Sequence, residues 1–115
     1  MSETVYYKGT AIEIKPKGKT LNDVAENILK NQNKEIPSYY SNAIECLCDE
    51  YYNEYFFHEK TQKLYKLDTD GYEDDGDIIR ASKNEDESIS FELRFYNGGA
   101  SFDECLEEAF DNLYI

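Results

Sequence analysis

The sequence predicts an α+β domain: an antiparallel sheet of three to five strands with two or three amphipathic helices, in the order β-α-α-β-β-(β)-β-α. Three observations predict it. Residues 88–96 alternate without a break, Ile89, Phe91, Leu93 and Phe95 on one side and Ser90, Glu92, Arg94 and Tyr96 on the other, as in an antiparallel strand with one buried face. Residues 21–29 and 102–113 repeat apolar side chains at helical spacing. The remaining strand candidates are mostly neighbours in sequence, which favours an antiparallel sheet with its helices on one side.

Taken in order, residues 4–15 are extended: Ala11-Ile12-Glu13-Ile14 alternates, Lys8-Gly9 marks a turn or bulge, and Pro16 and Gly18 end the segment. Thr20 caps a first helix with Asp23 in its opening turn. Leu21, Val24, Ala25, Ile28 and Leu29 form its stripe, and Asn31-Gln32-Asn33-Lys34 stops it. A second helix opens near Pro37, a residue tolerated in a first turn, with Tyr40, Ala43, Ile44, Leu47 and Tyr51 on its buried side. Tyr55-Phe56-Phe57-His58 and Leu64-Tyr65-Lys66-Leu67 flank Glu59-Lys60-Thr61-Gln62 as a hairpin, and residues 78–82 add a strand. Asn97-Gly98-Gly99 breaks the alternating strand. Ser101 then caps the last helix, with Glu104 completing a Ser-x-x-Glu box, and Phe102, Cys105, Leu106, Ala109, Phe110 and Leu113 face inward.

A chain of 115 residues is read as one domain, 1–115, with a flexible acidic loop over 68–77. The formal charge is −13, which argues against nucleic acid or an anionic membrane as a direct partner, since both repel carboxylates. Aromatic residues make up 15% of the chain, more than a disordered acidic chain carries. The charge is uneven: residues 1–41 hold six Lys against five acids, and residues 42–115 hold six Lys or Arg against 20 acids. The first residues lack a cationic stretch leading into an apolar one, so no secretion signal is expected. Three cysteines without such a signal suit free thiols and a reduced, cytoplasmic setting.

The most telling side chains lie on the last helix. Asp103, Glu104, Glu107, Glu108 and Asp111 occupy its wet side with no Lys or Arg between them. Residues 103, 107 and 111 form one row and 104 and 108 another, and like charges at i,i+4 oppose the helix by a few tenths of a kcal/mol each. Eight steps of about 1.5 Å give a row about 12 Å long, a charge density comparable to the one charge per ~1.7 Å of duplex DNA. Glu45 and Asp49 on the second helix extend the field if the two helices expose neighbouring faces. A solubility face is the plainer reading of such acids; a surface for a basic partner is the functional one. Tyrosines cluster at 6–7, 39–40 and 51–55, and adjacent residues on one helix cannot all face the core. Tyr39 and Tyr52 are therefore expected beside the carboxylates as aromatic anchors.

Other chemistry fits poorly. No register of residues 68–77 matches the acid and Gly spacing of a calcium loop. His58 is the only histidine, and a Cys105–His58 dyad would need Cys105 to leave the apolar stripe. Paired carboxylates occur everywhere among 25 acids and so specify nothing. Asn97-Gly98-Gly99 reads as a strand-to-helix turn. No catalytic residue, metal ligand or cofactor is assigned, and the chain is not read as an enzyme.

Phe95-Tyr96-Asn97-Gly98-Gly99-Ala100-Ser101-Phe102-Asp103-Glu104 resembles the ending of many small acidic proteins encoded by phages and prophages. Ile36-Pro37-Ser38-Tyr39-Tyr40 before an acidic helix is faintly similar to a stretch of the phage antirestriction DNA-mimic proteins, which are largely helical. The resemblance implies a mobile-element setting in which stoichiometric inhibitors are common. The expected function is therefore an inhibitor that engages a basic, nucleic-acid-handling host protein through a DNA-mimic-like surface. An immunity protein for a basic toxin nuclease would need the same electrostatics. A small calcium-binding module or enzyme is the alternative from another class.

Overall fold

In the computed structural model, which describes residues 4–73, 78–96 and 98–114, the predicted class and element order are found. Strands β1 (Thr4–Glu13), β2 (Tyr55–His58), β3 (Lys63–Glu73), β4 (Ile78–Lys83) and β5 (Ile89–Tyr96) join helices α1 (Leu21–Asn31), α2 (Ala43–Glu50) and α3 (Phe102–Asp111), with a short 3-10 turn over Asn112–Tyr114. The strands make one antiparallel sheet in the order β2-β3-β1-β5-β4. β1 is central, its Ala11 paired with Leu67 on one side and Ile89 on the other.

Successive residues of a strand face opposite sides of a sheet, and here both sides are covered. Ile89, Phe91, Leu93 and Phe95 of β5, Ala11 of β1, Tyr65 and Leu67 of β3 and Phe56 of β2 pack with the buried stripe Phe102, Cys105, Leu106, Ala109 and Phe110 of α3. The intervening positions Tyr55 and Leu64 pack instead with Ala25 and Leu29 of α1 and Ala43, Cys46 and Leu47 of α2. The expectation of helices on one side is thus corrected. The reason is local: the β2–β3 hairpin is apolar on both faces, with neighbours such as Tyr55, Phe56, Leu64 and Tyr65 all buried.

Two further corrections concern boundaries. The second helix starts at Ala43, not near Pro37. Asn42 caps it, its side chain accepting the Glu45 N–H at 2.8 Å, and Asn22 of α1 accepts the Ala43 N–H at 2.8 Å. Two otherwise unpaired donors of the first turn are so satisfied, while 37–42 remains a turn. The acidic stretch expected as a loop over 68–77 is strand through Glu73, from Asp68 opposite Thr10 to Glu73 opposite Val5. Pairing with a central strand overrides the local turn signal. Residues 74–77 lie outside the described residues.

Lys8-Gly9 neither turns nor breaks β1. A Cβ at Gly9 would stand 2.0 Å from the Asp68 carbonyl oxygen, so glycine is required by close approach of two backbones. The capping expected at Thr20 is complete: its hydroxyl accepts the Asp23 N–H at 3.1 Å while the Asp23 carboxylate accepts the Thr20 N–H at 3.4 Å. At the start of α3 the Ser101 hydroxyl accepts the Glu104 N–H at 3.2 Å, which is the Ser101 half of the expected box and not the reciprocal Glu104 half.

Candidate functional site

β2 is an edge strand, and an edge leaves backbone groups without a ladder partner. Here α2 and α3, on opposite faces of the sheet, both reach past that edge and leave a groove of about 820 Å³ between them. Its apolar floor is Ile44 and Cys48 of α2 with Phe56 and Phe57 of β2; Glu45, Asp49, Glu59, Asp103, Glu104 and Glu107 supply its carboxylates. Among the described residues that line it there is no Lys or Arg. Side chains from the walls also cover the edge itself. The backbone N–H groups of Phe57 and Glu59 favour the ionised forms of Cys48 and Glu107 respectively.

The structure therefore brings Glu45, Asp49, Asp103, Glu104 and Glu107 together, joining the acids of two helices distant in sequence. Glu45 also accepts the Ser41 N–H at 3.2 Å, and Asp49 accepts the Tyr40 hydroxyl, which holds that phenol's pKa above its usual value. Asp103 bears the most electrostatic pressure. Loss of surrounding water, with the Asp49 carboxylate second, pushes its pKa up to about 6. Burial raises Glu107 too, against the pull of His58. Cys48 is pushed up to about 12 by burial and then by Asp103, with the Phe57 N–H opposing, so it is a wall residue rather than a nucleophile.

The other expected residues fall outside the groove lining. Glu108 is exposed on α3. Tyr39 and Tyr52 are exposed as expected, at 74% and 46%. Tyr39 lies against the Tyr40 ring at 4.6 Å, and Tyr52 meets the edge of Phe102 at 6.1 Å. Asp111 turns to His58, whose Nε2 is 2.7 Å from its Oδ1.

That last contact was not legible in the sequence, where His58 read as a hairpin strand residue and was weighed as a partner only for Cys105. His58 is fully buried, its ring against Phe56, Phe110 and Tyr114, and its Nδ1 is 2.8 Å from the Thr61 hydroxyl. One donor atom each from His58, Glu107 and Asp111 lies within 4.8 Å of the others. These three are the described residues able to hold a metal ion. Glu107 and Asp111 are four apart on α3 and so share a face; only the tertiary fold adds His58. The floor residues Ile44 and Cys48 were also missed as site residues, although the same i,i+4 spacing places them beside Glu45 and Asp49.

A second, smaller hollow on the sheet between β3, β1, β5 and β4 has mixed charge. Lys8 and Arg80 stand there among Asp68, Asp70 and Glu92, and Arg80 pairs with Glu92 at 2.8 Å. Among the described residues no helix is long and apolar enough to cross a membrane. Compared with known proteins, the chain matches no protein-family model, and no curated protein or solved structure is significantly similar to it.

Proposed function

We propose that this protein works by binding, as a non-enzymatic inhibitor of the kind mobile elements encode, and that its groove takes a basic surface of a nucleic-acid-handling protein. The observation that carries this reading is the convergence of six carboxylates, from two helices and a hairpin, around one groove with an apolar floor. A lysine- or arginine-rich loop, with its aliphatic stems on Phe57 and Ile44 and its charges on the walls, matches both features. Mere solubility would be served as well by carboxylates scattered over the surface.

At Asp103 and Glu107 the crowding opposes ionisation in the folded chain. Asp103 is harder to ionise in the folded chain than in water, and a cationic partner would relieve it. Free energy held against folding at a surface site is characteristic of function.

The test is capture from a bacterial lysate on immobilised protein, at low and at moderate salt, beside a chain with Asp103→Asn and Glu104→Gln. Basic nucleic-acid-binding proteins retained at low salt, reduced at moderate salt and reduced again by the double substitution are the expected result. Capture unaffected by salt and by the substitutions would contradict it. A toxin nuclease among the retained proteins would favour the immunity reading over the host-inhibitor one.

A further inference from the structure

We propose that His58, Glu107 and Asp111 form a binding site for a divalent first-row transition metal, with zinc the best-fitting ion, at the hairpin end of the acidic groove. This site does not depend on the partner reading.

A fully buried imidazole is brought to two carboxylates, Nε2 standing 2.7 Å from Asp111 Oδ1, and all three donor atoms lie within 4.8 Å. One nitrogen and two carboxylate oxygens are a ligand set that zinc accepts, leaving a fourth position open. The other ring nitrogen is held from behind, as the second ring nitrogen of metal-bound histidines is, here by the Thr61 hydroxyl at 2.8 Å.

Without a metal the contacts are satisfied by a neutral imidazole that donates Nε2–H to Asp111 and accepts the Thr61 hydroxyl at Nδ1. A metal ion would take the place of that Nε2 proton and also engage Glu107, with Nδ1–H then donated to the Thr61 oxygen.

Both carboxylates are able to adjust. Asp111 is 40% exposed in its side chain, on the last residue of α3, and Glu107 is half-buried at the groove wall. Tetrahedral zinc with bonds of about 2.0–2.1 Å spaces its ligands about 3.4 Å apart, so Asp111 need retreat only by roughly 0.7 Å while Glu107 closes in. The open position would face the groove, since Glu107 lines it.

The test is calorimetric titration of the chelator-treated chain with zinc chloride, and separately with calcium chloride. One saturable zinc site of micromolar affinity, with calcium at least tenfold weaker, is expected. Glu107→Gln and Asp111→Asn should each weaken zinc at least tenfold; the latter keeps an acceptor for His58, and circular dichroism confirms the fold of both. Glu108→Gln, on the same helix but outside the cluster, and Cys48→Ser should stay within twofold of the parent chain. Because His58 is the only histidine, its ring protons provide a readout in the unmodified chain: manganese at substoichiometric amounts should broaden them first. Absence of a saturable zinc heat, equal affinity in the Glu107→Gln and Asp111→Asn chains, or ring protons untouched by manganese would each overturn the proposal.

Discussion

Asp103 shows how a single side chain reports on the groove. Its pKa, raised to about 6 from the ordinary 3.8, means that the folded chain holds this proton more tightly than the unfolded chain. Between about pH 4 and pH 6 folding therefore takes up a proton here, and the residue's contribution to stability is lost as pH rises through that window. Asp103→Asn, which cannot ionise, should be close to the parent chain in thermal midpoint near pH 4 and above it at pH 7. A variant less stable than the parent at pH 7 would mean that attraction to the α3 N-terminus outweighs the lost hydration and the Asp49 repulsion. The acids themselves were readable in the sequence as an unbroken row without lysines. Their electrostatic situation was not, because it depends on Asp49, 54 residues earlier in the chain, arriving at the same groove.

Secondary structure was legible where periodicity and caps agreed. β5 was evident from its alternation and is buried at every second residue; α1 and α3 were evident from stripes that begin at Thr20 and Ser101, the residues that cap them. It was misread where a local signal competed with a tertiary one. Pro37 suggested a helix start that Asn22 and Asn42 place at Ala43. The Asp- and Gly-rich run after Leu67 suggested a loop where β1 instead imposes a strand. Gly9 belongs to the same interface, and its substitution tests this pairing. Gly9→Ala should cost about 1–3 kcal/mol, as overpacked positions do, because the added methyl meets backbone rather than a movable side chain. Phe91→Ala, beneath α3 at 2% exposure, should cost about 3–5 kcal/mol. Glu92→Ala, its neighbour on the opposite face, removes an exposed pair with Arg80 and should cost under about 1 kcal/mol. Chemical denaturation of the three variants checks the ranking; a neutral Gly9→Ala would contradict the close β1–β3 approach, and equal losses at 91 and 92 would contradict the face assignment.

In the whole molecule, charge and topology reinforce each other. A sheet ordered β2-β3-β1-β5-β4 puts the short hairpin strand at an edge, and helices on opposite faces then enclose that edge between acidic walls. The sequence pointed to acidic helices and conditionally to their adjacency; it gave no sign that a sheet edge would lie between them, since edge position is a property of strand order. The measurement that tests the acidic groove most directly is the association rate with the captured basic partner, taken across a salt series, for two variants of equal net charge. One carries Glu45→Gln, Asp103→Asn and Glu104→Gln in the groove; the other carries Glu26→Gln, Glu35→Gln and Glu85→Gln on exposed positions elsewhere. The groove variant should associate at least tenfold more slowly at low salt, with a shallower salt dependence, while the other stays within about threefold of the parent chain, because steering depends on where the charge lies as well as on how much there is. Equal slowing of the two variants would assign the effect to net charge alone and contradict a binding role for the groove.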